Sequence, residues 1–549
     1  MNENKNVIIA LVLMLAVWMG FTLLFPPQQS SQPSSGEQAA LSEEVETAKS
    51  TNNNISAPVD EAGPQTDTNQ ITTTPPSEIE TTQAADRTIS IDTSLYTAEF
   101  SSSGARLTSF KLKEYQNAAD PQSPQVQLIN ADSLRYATLQ TVGTEGFALA
   151  RDASYEVDLT SDSIELSDGG KKTLQFRSIT PSGLEITKTF IIQDGHYSID
   201  FATRVRNLAT APLTGDLELS LVKYWDDDAD RPAYSFAGPV TLVGNDLEKV
   251  KVKKLDEETP TYTENIVWTS IQSKYFLDVI VPLQDSADQV RLSREKDLIR
   301  NTLETGFFTL QPGGAQQFEY FLFFGPKELD ILKAENHQLE KAIDFGFFQI
   351  LSKPLLQVLT FFYGFLHNYG LAIILLTIII KILFWPLTHK SYASMKSMQK
   401  LQPEMQKLRE RFKSDKERLN KELMALYKEH RVNPMGGCLP MLVQIPVFIA
   451  LYKVLLDSIA LRHAPFAFWL TDLSAKDPYY ITPLLMGASM FVQQKLTPVS
   501  GDPMQAKIMT FLPVVFTFMF LNFPSGLVIY WLVNNLLTIV QQYYIHRKA

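Results

Sequence analysis

GLAIILLTIIIKILFWPL, residues 370–387, carries a single charge, Lys381, inside an otherwise apolar run. A run of this length crosses a bilayer as an α-helix, because a hydrocarbon core about 30 Å thick takes roughly 20 residues rising about 1.5 Å each. If the helix begins near Gly370, Lys381 sits roughly 17 Å into that core. An ammonium at the centre of a span costs about 2.5 to 3.5 kcal/mol on insertion scales, so it needs water or a partner. Either the long stem carries the charge back to the cytoplasmic headgroups, or the amine belongs to a polar site inside the protein.

Outward from this run, four more apolar stretches can cross the membrane, at 438–456, 481–496, 508–521 and 526–545. An N-terminal run, Val7 to Phe25, is free of charge and is followed by Pro26-Pro27-Gln28, with no small-x-small cleavage pattern. That favours an uncleaved anchor over residues 1–25, giving six spans with both termini inside. The connecting charges agree with this topology. Residues 386–434 hold twelve Lys/Arg against six Asp/Glu, whereas 458–480 balance Arg462 and Lys476 against Asp472 and Asp477. The first segment is therefore expected in the cytoplasm and the second outside. The runs 481–496 and 508–521 would cover only about 24 Å and 21 Å, so the bilayer beside them has to thin or wet.

The net charge of −11 conceals two electrostatic classes: residues 26–353 carry −21 and the remainder +10. The acidic part is expected on the external side. Within it, residues 26–87 contain no aromatic residue and ten acids against two bases, which describes a disordered tether. From Thr88 to about Gly325 the pattern turns to alternation, as in Ile89 and Ile91, Tyr96, Ala98 and Phe100, Leu217, Leu219 and Leu221, and Phe318, Tyr320 and Leu322. Short alternating runs broken by Ser167-Asp168-Gly169-Gly170 and Pro312-Gly313-Gly314 predict an all-β sandwich, with the domain ending near residue 343. Residues 344–368 read as a helix lying in the outer headgroup layer, interrupted at Lys353-Pro354, and 369–549 as a helical core. The one cysteine, Cys438, excludes an intramolecular disulfide. Asp226, Asp227, Asp228 and Asp230 match no calcium loop, and no metal motif or nucleophile elbow accompanies the isolated His196, so no cofactor or metal is expected.

Two regions of the core carry candidate chemistry. Residues 391–432 read as a cytoplasmic hairpin of two amphipathic helices, with Pro403 in the first turn of a fresh helix and Ser414-Asp415-Lys416-Glu417 as a capping box. Its basic faces are either a solvated spacer or a dock for acidic or RNA-rich partners such as a ribosome. The spans also hold more polar residues than packing requires. Gln494, Lys495, Gln541 and Gln542 fall near cytoplasmic ends and are expected at the interface, and Asn534 and Asn535 can serve as interhelical glue. Lys381, Thr377 and Gln444 remain as candidates for a hydrophilic recess open to the cytoplasm, with Phe448, Met486 and Met519 as its lipid-facing edge.

Asn433-Pro434-Met435-Gly436-Gly437-Cys438-Leu439-Pro440, Gln444-Ile445-Pro446 and Leu451-Tyr452 together resemble the third-span signature of the YidC membrane insertases. Pro386-Leu387-Thr388, Asp502-Pro503-Met504-Gln505 and Phe523-Pro524-Ser525-Gly526 match at corresponding positions, and the anchor, tether and β-domain resemble the Gram-negative branch. The resemblance implies a multi-domain membrane protein: an all-β supersandwich outside the cytoplasm, one anchor helix, and five core transmembrane helices around a cytoplasm-open groove. It also implies an insertase and chaperone for nascent membrane proteins, working in the inner membrane beside the ribosome and, for some substrates, the Sec translocon, without a nucleotide and not as an enzyme. The family's groove charge is typically an arginine, and Lys381 stands there, keeping the charge but not the bidentate fork. Trp531 matches a groove tyrosine, with Tyr530 beside it, and has a donor only. Two other classes stay open on the residues alone. A small-molecule transporter would show internal repeats, and a membrane-anchored sugar-active enzyme would place its chemistry in the sandwich.

Overall fold

The computed structural model describes residues 86–228, 230, 235–284, 286–413, 415–430, 432, 439–496 and 503–548. The expected anchor at 1–25, nearly all of the tether at 26–87 and the signature residues 433–438 lie outside the described residues.

Alternation dictates the first domain. Thr88–Asp92 and Tyr96–Ser101 pair antiparallel, so Ile89, Ile91, Tyr96, Ala98 and Phe100 share one face, and all five are fully buried. They belong to a five-stranded sheet with Arg106–Gln116, Gln125–Asn130 and Ser163–Glu165. A nine-stranded sheet lies against it, centred on Phe276–Leu283, Ala315–Pro326, Ser198–Asn207 and Leu184–Gln193. Phe100 meets Phe190 at 4.9 Å and Phe110 meets Phe324 at 5.3 Å between ring centroids, tilted as aromatic quadrupoles prefer. A second five-stranded sheet, including Leu217–Tyr224 and Leu298–Glu304, is tied to the nine-stranded one by Asn301, whose amide donates to Thr269 Oγ1 and the Ser270 carbonyl, each at 2.8 Å. This is the expected all-β sandwich, enlarged by that sheet and by a two-stranded ribbon of Leu213–Gly215 with Phe308–Leu310.

One inward slot of Leu184–Gln193 holds a cation. Leu184, Ile186, Phe190 and Ile192 point inward, and so does Lys188, with no exposed surface. Its ammonium donates to the carbonyls of Gly104 at 2.8 Å, Ala105 at 3.2 Å and Leu139 at 3.3 Å, and burial holds its pKa well below the usual lysine value. Three carbonyls make a neutral cage, which is how a buried charge avoids leaving its donors unpaired.

The helices follow as α1 (Leu329–Ala334), α2 (Gln349–Leu366), α3 (Tyr369–Arg411), α4 (Lys416–Glu429), α5 (Leu439–Asp457), α6 (Ile481–Leu496), α7 (Pro503–Phe520) and α8 (Ser525–Lys548). α2 runs unbroken through Pro354, against the expected interruption; the proline gives up the N–H that would reach the Ile350 carbonyl, and buried Ser352, Leu356 and Leu359 hold the helix on both sides of it. His367, in the left-handed region at φ 50°, ends α2, and Asn368 Oδ1 accepts from Leu371 N at 3.1 Å to start α3.

α3 corrects a second expectation. The run 370–387 and the first hairpin arm are one helix of 43 residues, about 64 Å long, passing through both Pro386 and Pro403. An interior proline costs about 3 kcal/mol or more, but it does not decide the outcome where tertiary contacts continue on both sides. Beyond Pro403 they do, since Met405 is buried with Leu401 against Leu426 of α4 and the Tyr427 hydroxyl donates to Met405 Sδ at 3.8 Å. The cap of α4 is Asp415, whose carboxylate accepts from Arg418 N at 3.0 Å; Ser414 of the expected capping box lies outside the described residues. α7 also begins at Pro503 rather than near 508, which brings it to about 27 Å, against about 24 Å for α6. By length and composition α3 is the one described helix able to cross a membrane, and Thr510–Phe520 is a shorter apolar stretch.

Candidate functional site

Tyr369–Arg411 and Ser525–Lys548 pack along each other; α5 touches both, and α6 packs against α8. Buried Ala372, Ile373, Leu376 and Ile380 of α3 join Leu527, Val528 and Ile529 of α8 in one apolar cluster at the N-terminal ends of both helices. One turn past Thr377 the packing turns polar. Lys381, 9% exposed, donates from Nζ to Thr538 Oγ1 at 2.7 Å, and the Thr538 hydroxyl donates to the Asn534 carbonyl one turn back at 2.7 Å. Among the described residues no carboxylate lies within ion-pair distance of Lys381. Among the described residues its one hydrogen-bond partner is a hydroxyl, which carries no counter-charge.

Further polar pairs continue from this point. Gln444 Nε2 of α5 donates to Asn534 Oδ1 at 2.9 Å, buried Asn535 donates to Ser489 Oγ of α6 at 3.0 Å, and Gln541 Nε2 donates to Thr388 Oγ1 of α3 at 2.6 Å. Gln541 and Gln542 are each 1% exposed, so they are buried between helices instead of lying at the interface as their sequence positions indicated. Thr377 is buried with its hydroxyl turned back to the Ile373 carbonyl of its own helix at 2.6 Å, which leaves Lys381 and Gln444 as the named candidates that cross to α8.

An aromatic cluster borders the polar pairs. Trp531 lies 4.7 Å from Phe448 in an edge-on contact and 5.0 Å from Phe520, while buried Tyr530 stacks on Phe448 at 6.2 Å. The expected edge of Phe448, Met486 and Met519 does not form as one surface. Met519 is 45% exposed and Phe448 half-buried, but Met486 has no exposed surface and belongs to the core of the bundle. α6 turns Leu484, Leu485 and Phe491 outward instead, and Met486, one residue on from Leu485, faces the other way.

The sequence reading missed Thr538, Ser489 and Thr388 as polar partners. A signal for the first was present: Asn534, Thr538 and Gln541 recur at spacings of four and three, which is one face of a helix.

Residues 88–358 match the family described as YidC periplasmic domain, and residues 361–549 the one described as 60Kd inner membrane protein. The membrane protein insertase YidC of Geotalea daltonii is 42% identical over 99% of this chain and 99% of its own length. That of Syntrophus aciditrophicus is 48% identical over 84% of this chain and 85% of its own. A solved YidC insertase with its first transmembrane segment resolved covers 84% of this chain and 93% of its own at 18% identity, with a TM-score of 0.36, too loose a superposition to carry an argument.

Proposed function

The chain belongs to the YidC family of membrane protein insertases, and on that premise we propose that nascent hydrophobic segments enter the inner membrane along the polar side of α3 and α8, with Lys381 as the group that receives the hydrophilic flank. Membrane residence and insertion go with the family. A substrate span of about twenty apolar residues gains on the order of 10 kcal/mol on entering lipid, so insertion is downhill. The barrier is the polar tail that must follow. A cation inside the bundle, with hydroxyl and amide neighbours and no anion paired with it among the described residues, lowers that barrier most for acidic tails. The membrane potential then assists each negative charge moving outward by about 2.3 kcal/mol per 100 mV. α6, about 24 Å long, supports a thinned bilayer beside the site. Exposed Met519 and half-buried Phe448 are offered as the apolar path into lipid.

The single observation that carries this reading is the Lys381 to Thr538 hydrogen bond, which aims the amine at α8. Finer features join it as proposals. Both termini and the α3–α4 hairpin lie in the cytoplasm, where the basic surplus of residues 386–434 contacts the ribosome. α2 lies in the outer interface, and some substrates arrive through a Sec-type translocon. No step calls on catalysis or a cofactor. The test is in-cell insertion of a short-tailed acidic substrate by Lys381→Arg, Lys381→Ala and Lys381→Glu proteins. Arginine should retain activity, alanine lose part of it and glutamate most of it; full activity with glutamate sinks the proposal.

A further inference from the structure

On the external side, the β-domain and the helices enclose a cleft of about 520 Å³, inside the range of about 300 to 1,000 Å³ typical of ligand sites. Its two walls differ in kind. One is apolar, formed by Leu356, Phe361 and Phe365 of α2 together with Tyr369, and the other is ionic, formed by ends of strands and by the start of the external segment. The ionic wall sets Lys249, Lys274 and Lys327 against Glu328, Asp330, Asp344 and Asp457, and most of these have partners of their own. Lys249 is paired with Asp344 at 2.6 Å, Asp457 accepts from the Ser235 hydroxyl and lies 3.7 Å from Lys453, and Glu328 is hydrogen-bonded to Tyr115. Lys327 is left: among the described residues its amine has no hydrogen-bond or ion-pair partner, although it lines the same wall. Burial pushes its pKa down to about 8, against the pull of the Asp457 and Asp344 carboxylates, neither of which reaches it as an ion pair.

The apolar wall continues outward. α2 leaves Ile350, Phe361 and Phe365 between 61% and 81% exposed, together with Phe347 just before it, a surface that water does not favour on a soluble domain. Gly364 interrupts this wall, and a Cβ built there meets no atom within 4 Å, so the cleft opens at the position where α2 presents no side chain. A ligand that fits has a compact anion for Lys327 and a long apolar part that leaves past Gly364 along Phe361 and Phe365. Asp330, at the exposed rim, complements an amine on the same headgroup. We propose that this cleft binds one phospholipid of the outer leaflet, its phosphate on Lys327 and its acyl chains along the exposed face of α2, tying the β-domain to the membrane surface. The proposal rests on the interfacial placement of α2 given above.

The experiment uses the full chain in vesicles of phosphatidylethanolamine and phosphatidylglycerol containing a trace of phospholipid with a photoreactive group at the top of one acyl chain, followed by peptide mapping. Labelling is expected at 327–330 and 356–365. It should fall at least about fivefold in Gly364→Phe, which fills the opening, and in Lys327→Met, and return in Lys327→Arg, the order expected for one charge-assisted hydrogen bond. Phe347 and Ile350 should label equally in all variants, and equal thermal stability of the variants shows that the fold is kept. Cleft labelling unchanged in both Gly364→Phe and Lys327→Met overturns the lipid site while leaving α2 at the interface. Loss of the label to excess inorganic phosphate also overturns it, in favour of a free anion. Absence of label at Phe347 and Ile350 refutes the interfacial placement itself.

Discussion

Lys381→Met removes one charge and little volume, and the reading above predicts that its effect depends on the substrate's tail. An acidic side chain about 5 Å from the ammonium interacts by about 3 kcal/mol at an effective dielectric of about 20, and by only about 0.8 kcal/mol in bulk water. With Lys381 only 9% exposed and held by Thr538, the site lies nearer the first limit. Since every 1.4 kcal/mol or so is tenfold, the span is from about fourfold to about 150-fold in the rate at which a tail bearing one Asp crosses. The assay is insertion into proteoliposomes of purified full chain, using single-span substrates that differ only by Asp, Asn or Lys in the tail. Lys381→Met should slow the Asp substrate within that range, leave the Asn substrate within about twofold and speed the Lys substrate. Charge is the quantity under test, so Lys381→Glu should reverse the order of Asp and Lys tails. If the Asp and Asn substrates lose rate equally, the lysine acts through packing or bundle stability and the electrostatic account is wrong.

Other perturbations test the scaffold. Lys223 donates to buried Asp278 at 2.6 Å, and Lys223→Met strands that carboxylate, which should cost about 3 to 5 kcal/mol in thermal unfolding of the full chain at neutral pH. Burial holds the Asp278 carboxyl above its usual pKa, against the pull of Lys223, so the folded form binds its proton more tightly. The resulting stability is fully present below the ordinary carboxylate value and lost as pH rises through the raised one; Lys223→Met should widen that window and Asp278→Asn abolish it. Lys188→Ala leaves the carbonyls of Gly104, Ala105 and Leu139 without their donor and opens a void, with an expected loss of roughly 3 kcal/mol or more measured by calorimetry. Gly487→Leu places a side chain where the Thr517 hydroxyl sits, forcing α6 and α7 apart, and should reduce insertion far more than Leu484→Ala on the outward face.

Much of the fold could be read in the chain because burial imposes a period. Ile89, Ile91, Tyr96, Ala98 and Phe100 alternate in sequence and all lie inside, since the pleat sends every second side chain to one face. Lys188 shows the limit of that rule: it occupies an inward slot among Leu184, Ile186, Phe190 and Ile192, and alternation alone makes it a break in the pattern. Its three carbonyl partners come from residues 49 to 84 positions away, which no local pattern encodes. The candidate site divides similarly. Lys381 stood out because an isolated charge in a span is costly, whereas Met486 could not be told from Met519 by type, and the rotation of each helix buried one and exposed the other.

Composition and spacing by themselves determined that this chain enters a membrane, that its acidic half forms a β-domain apart from a basic helical half, and that one cation lies within a span, because these follow from sums over neighbouring residues and the transfer cost of each. Only the tertiary structure decided that the cation reaches Thr538, 157 residues away, that Gln541 and Gln542 are interior, and that α3 continues through Pro386 and Pro403. Those outcomes depend on how helices are rotated and packed against one another, and contacts between distant segments can override the few kcal/mol that a local signal such as proline contributes.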